Sequence, residues 1–257
     1  MPAHEEKLLE EACRAGEEAE CVPPAATPLL SEELLSRAHR AAQAAGLVLE
    51  QRPEGLTLCG AGMELAGDFG AMLPRLRQDR LAHELLVRAA RIKGASKPLC
   101  AVDATAGLGE DALLLAAAGF EMTLVERDPV IAALLADALE RAAADERLAP
   151  IAARMQLVCA ESTAYLRSLE EGPALVYLDP MFPAKGKAAL TKKKLQLFQR
   201  LEAPCSQEEE LMDAACACRP LRIVVKRPLK APALAGRKPS HSVAGKTIRY
   251  DVIVPTR

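Results

Sequence analysis

Two acid-bearing turns carry the chemistry that this sequence is equipped to perform. The first lies in LCAVDATAGLGED, Leu99 to Asp111, where an apolar run ends in Asp103 and passes into a small-residue turn containing Gly107 and Gly109. Glycine lacks Cβ, so such a turn lets backbone N–H groups approach a ligand closely and adopt positive φ. The next apolar run, Met122 to Val125, ends in Glu126, a carboxylate placed to accept hydrogen bonds from ribose hydroxyls. Together these features read as a nucleotide-cofactor site. An ordinary βα turn also carries glycines, and Gly107, Gly109 and Ala112 satisfy the GxGxxA spacing of dinucleotide enzymes as well. Asp103 separates the two cofactor classes. The α-amino group of S-adenosylmethionine (SAM) calls for a nearby acid, whereas a pyrophosphate would be repelled by one.

The second turn follows another apolar run, Ala174 to Leu178, and reads Asp179-Pro180-Met181-Phe182-Pro183. It resembles the (D/N)PP(Y/F) tetrapeptide of amino-group methyltransferases. An exocyclic base amine has its lone pair delocalised into the ring, so it is a poor nucleophile that must be held and reoriented. The Asp179 carboxylate and the Pro180 carbonyl can accept the two amine hydrogens while the ring of Phe182 stacks on the base. The chain has no Trp, three Tyr and four Phe, which makes an aromatic at this turn notable. A rigid strand exit with Phe182 packed in the core is the structural alternative.

DATAGLG, LVERDPVIAALL, VYLDPMFP, the lysine run from Lys185 and VVKRP together resemble a ribosomal RNA methyltransferase family, over about Leu56 to Val254. That family uses SAM to methylate the exocyclic N2 amine of a guanine in 16S ribosomal RNA. The resemblance implies a Rossmann-like doubly wound α/β sheet with an antiparallel C-terminal hairpin. It implies cofactor contacts at Glu110 and Asp111, at Glu126 and Arg127, at Glu161 and Ser162, and at Asp179. Two positions depart in type: Glu110 stands where relatives carry Arg, and Glu161 where Ser is familiar. The first fifty residues align with nothing in the family.

Charge is divided unevenly along the chain. The net charge is −2, but Lys185 to Arg257 holds sixteen Lys plus Arg against six Asp plus Glu, a net of +10, which leaves −12 for the rest. Phosphate binding needs a local basic surface rather than a basic whole. Lys185, Lys187, Lys192, Lys193 and Lys194 directly follow the second turn, where they can grip the backbone around a held base. Lys226 and Arg227 open a second basic cluster, and both groups are candidate RNA contacts. A solvated lysine loop would look the same.

The elements that must position these turns are legible as alternating strands and helices. Strands are expected at Leu99–Asp103, Met122–Glu126, Met155–Cys159, Ala174–Leu178 and Leu221–Lys226, with helices between them. In such a sheet, ligands lie beyond the carboxyl ends of the strands, where both turns fall. Thr247–Val254 alternates and is expected to pair antiparallel with a strand near Ser240–Val243. A helix over Leu76–Ile92 leads into this region, and one near Lys194–Leu201 follows the lysine run. Upstream, a helix over Ser31–Ala45 precedes a hairpin of Leu47–Gln51 and Leu56–Cys59. The division expected is a small N-terminal α+β domain, residues 1–70, and a methyltransferase domain, residues 71–257.

Half of the residues are hydrophobic, enough for a full α/β core, and no run approaches a membrane span. The acidic start is unlike a signal peptide, so a cytoplasmic protein without a membrane partner is expected. Eight cysteines without a CxxC pair read as reduced, buried small hydrophobes. His4, His39, His83 and His241 are scattered, so no metal is expected. Two other functions fit parts of the pattern. An NAD(P)-dependent oxidoreductase would use the same glycine loop, but no Tyr-x-x-x-Lys pair or suitably placed His accompanies it. A non-catalytic RNA-binding module would use the basic C-terminal part alone.

Overall fold

The structure is a computed structural model that describes residues 29–60, 62–94, 98–180 and 208–255. Helix α1 (Glu32–Ala44) starts where Ser31 Oγ accepts a hydrogen bond from Leu34 N at 3.2 Å, with Glu32 and Glu33 at the positive end of the helix. Strands β1 (Val48–Arg52) and β2 (Gly55–Gly60) form the expected hairpin, registered Arg52 to Gly55, and β3 (Met63–Leu65) adds a third antiparallel strand. Gly55 closes the tight turn at φ 126°, a conformation that side chains rarely adopt.

One continuous helix over Leu76–Ile92 is not what the chain forms. It makes three short helices, α2 (Leu73–Leu76), α3 (Gln78–Leu81) and α4 (Leu85–Ala90), broken by extended backbone at Arg77 (ψ 138°) and Glu84 (ψ 129°). In a straight helix the buried Leu81 would point away from both Met72 and Leu86, because successive positions turn by about 100°. The breaks bring all three into one core. Arg75 clasps Glu84 across them with two 2.8 Å hydrogen bonds.

The main sheet has seven strands in the order β6-β5-β4-β7-β8-β10-β9. These are β4 (Leu99–Asp103), β5 (Phe120–Glu126), β6 (Met155–Cys159), β7 (Leu175–Leu178), β8 (Arg222–Pro228), β9 (His241–Ala244) and β10 (Ile248–Ile253). The first five are parallel, while β10 runs antiparallel to both β8 and β9, which gives the expected C-terminal hairpin. Helices α5 (Glu110–Ala117), α6 (Pro129–Ala144), α7 (Ala149–Ala152), α8 (Ser162–Ser168) and α9 (Glu208–Ala217) complete the crossovers and cover. The expected helix near Lys194–Leu201 lies outside the described residues.

Helix α6 is apolar nearly all round, and such a helix must be covered on every side. Its inner face joins the core under β5 through Leu135 and Leu139; its outer face, with Ile131 and Leu134, packs against α1 and the three-stranded sheet in a second core. The buried Asp137 is matched by Arg141 at 2.8 Å, whose guanidinium also donates to Gly67 O at 2.6 Å. A third core lies on the other face of the sheet under α8 and α9.

The five described cysteines are free thiols, as expected, but burial holds for only one of them; Cys13, Cys21 and Cys205 lie outside the described residues. Cys218 is buried, but Cys100 and Cys159 are exposed, and Cys59 and Cys216 are half-buried. Cys100 opens near the start of its strand and Cys159 ends an edge strand, so neither reaches the packed interior. Among the described residues, no helix is long and apolar enough to cross a membrane, and no group of three or more His, Cys, Asp or Glu is arranged to hold a metal ion.

Candidate active site

The register of β4 against β7 sets the site. Asp103 pairs with Tyr177, and Ala104 N donates to Tyr177 O at 3.1 Å, so the turn after β4 and Asp179 emerge side by side at the carboxyl edge. The two turns are then tied directly: Thr105 Oγ1 accepts from Asp179 N at 2.6 Å. The same hydroxyl donates to Asp103 Oδ1 at 3.4 Å, and Thr105 N donates to that oxygen at 3.0 Å. The carboxylate of Asp103 therefore shapes the turn from within the protein. It is 1 % exposed, and burial pushes its carboxyl up to about 7, opposed by the Thr105 amide and reinforced by Asp111 and Asp179.

Gly107 and Gly109 both take positive φ, 54° and 77°, for different reasons. A Cβ on Gly109 would lie 2.7 Å from Leu135 Cδ1, so this glycine is required by packing at the start of α5. A Cβ on Gly107 would meet nothing within 4 Å. Gly107 thus leaves open space at the mouth of the turn. Beside it, Gly107 N donates to Glu126 Oε2 at 3.0 Å and Asp128 N donates to Glu126 Oε1 at 2.8 Å, which fixes the acid at the end of β5. Asp128 in turn caps α6 through Val130 N and Ile131 N, and Arg127 between the two acids is exposed.

At the end of β6, Ser162 Oγ donates to Ala104 O at 2.6 Å, so this residue braces the turn after β4. The Glu161 carboxylate caps α8, accepting from Ala164 N at 2.8 Å and from the Thr163 hydroxyl. Glu110 is exposed in the first turn of α5. Asp111 points into the site's interior, where Asp111 Oδ2 accepts from Tyr177 OH at 2.6 Å and from Lys226 Nζ at 2.7 Å.

Lys226 completes a four-residue network by approaching Asp179 Oδ2 at 2.9 Å. The expectation that Lys226 and Arg227 both face RNA meets a different placement. The Lys226 ammonium sits between two carboxylates, and Arg227 is 3 % exposed, donating from Nε to Pro232 O at 2.9 Å and facing Glu208. Burial disfavours the Lys226 charge, but Asp111 and Asp179 outweigh it and hold the ammonium above its ordinary pKa. Burial raises the Asp179 carboxyl, Lys226 draws it down, and Asp111 adds to the rise. The Tyr177 phenol is pushed far up by burial and by Asp111, so it stays a donor.

The roles of Tyr177 and Lys226 in this network were missed in the sequence. Both sit in strands that read as apolar runs, and a Lys ending such a run at the ligand edge of a parallel sheet needs a counter-charge; that was the available signal. The sequence expectations for Met181, Phe182 and Pro183 and for Lys185, Lys187, Lys192, Lys193 and Lys194 lie outside the described residues. Pro180 is described and buried.

Comparison with known proteins agrees with this geometry. Residues 33–255 match a family model described as "Putative SAM-dependent methyltransferase". The chain is 44 % identical over 243 residues, covering 87 % of this chain and 95 % of the relative, to a protein of Thioalkalivibrio sulfidiphilus named ribosomal RNA small subunit methyltransferase J. It is 41 % identical over 240 residues, with coverage of 87 % and 92 %, to a protein of the same name from Pseudomonas aeruginosa. The crystal structure of a SAM-dependent methyltransferase from Neisseria gonorrhoeae superposes with a TM-score of 0.65 at 27 % identity, covering 89 % of this chain and 94 % of that one.

Proposed function

The chain belongs to the family of SAM-dependent methyltransferases to which these relatives belong, and from that membership we propose that its methyl acceptor is the exocyclic N2 amine of a guanosine in 16S ribosomal RNA. The observation that carries this reading is the junction of the two turns at Thr105 and Asp179, which brings the turn after β4 and the turn after β7 onto one edge of the sheet. The relatives' name supports ribosomal RNA as the substrate class.

The residues present fit SAM. The open space at Gly107 accepts a close ligand, and Glu126 is fixed at the end of β5, the strand end at which ribose hydroxyls are met in this fold. Two carboxylates, Asp111 and Asp179, meet at the ammonium of Lys226, with the buried Asp103 beside them. Such a surplus of negative charge favours a cationic cofactor and opposes the pyrophosphate of NAD. Bound SAM supplies an electrophilic methyl group on a sulfonium, whose thioether is already a good leaving group, so no covalent enzyme intermediate is needed.

The protein's own contribution is alignment. Asp179, with its side chain 35 % exposed, presents a carboxylate that accepts the amine hydrogens and turns the nitrogen lone pair toward the methyl group. The Pro180 carbonyl assists, and Phe182 stacks on the base. Glu110, Asp111, Arg127, Glu161 and Ser162 lie around the cofactor turn, with the last two acting through the backbone they brace. The lysines from Lys185 to Lys194 hold the flanking phosphates. A guanosine in a folded RNA reaches a site at the sheet edge by leaving its stack.

The test is incubation with isotopically labelled SAM and 16S ribosomal RNA, free or in small subunits, from cells lacking the modification, followed by nucleoside mass analysis. Label in N2-methylguanosine is expected. Label confined to another nucleoside overturns the acceptor assignment.

A further inference from the structure

We infer that Lys226 is a positioning residue for methyl transfer: by bridging Asp111 at the start of α5 and Asp179 at the end of β7, it holds the Asp179 carboxylate in place as the acceptor of the amine hydrogens. The inference rests on the reading of Asp179 given above and adds to it the residue that makes Asp179 competent. Three elements meet at one ammonium, because Asp111 lies in the first turn of α5, Asp179 follows β7 and Lys226 lies in β8. The contacts are 2.7 Å and 2.9 Å, both within the range of charge-assisted hydrogen bonds.

Tyr177 OH, at 2.6 Å from the same Asp111 oxygen that Lys226 contacts, fixes Asp111 and so fixes the far end of the bridge. An ammonium has three donors, and two of these are committed to carboxylates. A phosphate contact by Lys226 would have only the third donor, and the phosphate would lie against the two carboxylates that the ammonium already bridges. Without the ammonium, Asp111 and Asp179 would face each other as neighbouring like charges, and one of them would take up a proton or turn away. A protonated or displaced Asp179 is a poorer acceptor for an amine hydrogen.

Among the described residues, the charged and titratable groups around Asp179 are Asp103 from β4, Asp111 from α5, Tyr177 from β7, Lys226 and Arg227 from β8, and Tyr250 from β10. Of these, Lys226 is the cation that touches it. Loss of Lys226 therefore moves the Asp179 carboxyl upward.

The experiment compares wild type with Lys226→Met, which keeps the length of the stem without charge, and Lys226→Arg, which keeps the charge. Lys226→Gln serves as a second neutral variant if the Met variant is not recovered folded. With saturating SAM and unmethylated small ribosomal subunits, the neutral variant is expected to lose about 10- to 100-fold in maximal rate. Its RNA KM stays within about threefold, the acid limb of its pH profile moves up by about one unit, and the Arg variant recovers most of the rate. A carbon-13 titration of the Asp179 carboxyl, which needs no substrate, should show the same upward movement.

A raised RNA KM at unchanged maximal rate identifies Lys226 as a phosphate contact and overturns the proposal. So does an unmoved Asp179 titration, or equal loss in the Met and Arg variants. If wild type methylates a nucleoside other than guanosine, the acceptor assignment fails while the titration still decides the role of Lys226.

Discussion

The side-chain oxygen of Thr105 accepts the backbone N–H of Asp179 across 74 positions of sequence, at 2.6 Å. This bond joins the turn that follows β4 to the turn that follows β7, and through Asp103 it anchors both in the sheet. Thr105→Val keeps the shape and removes the hydroxyl, leaving the Asp179 N–H without its acceptor. An unsatisfied donor of this kind costs about 1–3 kcal/mol. The denaturation midpoint of the Val variant should fall accordingly and its methyl-transfer rate should drop, while Thr105→Ser, which restores the oxygen, should recover most of both. Equal behaviour of the two variants would remove the hydrogen bond from the account.

Asp179 itself should be far less replaceable. If its carboxylate holds the amine hydrogens, Asp179→Ala should lower methyl transfer to unmethylated small subunits by about 100-fold or more, the scale of losing one well-placed charge-stabilising group. Its SAM affinity, followed by calorimetry, separates the two places at which the carboxylate could act. A rate loss at unchanged SAM affinity locates the effect at the acceptor. Full activity in the Ala variant would end the assignment.

The two glycines of the first turn should fail in different ways. In Gly109→Ala the new Cβ meets Leu135 Cδ1 at 2.7 Å on a backbone with φ 77°, so the protein should lose stability by roughly 2 kcal/mol or more. In Gly107→Ala the Cβ enters open space at φ 54°, so the stability loss should be nearer ~1 kcal/mol. The larger effect there should be on SAM affinity, because the methyl group occupies room a close ligand would use. Urea titration and calorimetry on both variants read the contrast.

Much of this site could be read from the sequence because its parts are local. The strands ending in Asp103, Glu126 and Asp179 are short apolar runs, as strands buried on both faces must be, and each acid follows its run directly. What joins those parts is not local. Lys226 meets Asp111 over 115 positions, and no periodicity encodes a contact made by packing a helix start against two strand ends. The break-up of Leu76–Ile92 escaped for a related reason. Its residues are mostly good helix formers, but Leu81 and Leu86 fall on different faces of a straight helix, and only the position of the core that receives both decides where the chain must turn.

Asp103 makes the stability of the protein depend on pH in a direction opposite to that of most carboxylates. Its carboxyl is raised from 3.8 to about 7 by burial, so between those values the folded protein holds a proton that the unfolded chain has released. Folding is then favoured most below the unfolded pKa, and stability is lost as pH rises toward the folded one. A shift of that size corresponds to a few kcal/mol, roughly 1.4 kcal/mol for each pH unit. Asp103→Asn retains Oδ1 as acceptor for Thr105 N and cannot ionise, so it isolates this contribution from every other titrating group. Urea denaturation of both proteins from pH 4 to pH 8 should show the Asn variant gaining on wild type by about 2–4 kcal/mol as pH rises, with the change centred between pH 4 and pH 7. A constant difference across that range would mean that Asp103 keeps its ordinary pKa, and that the Thr105 amide compensates its burial fully.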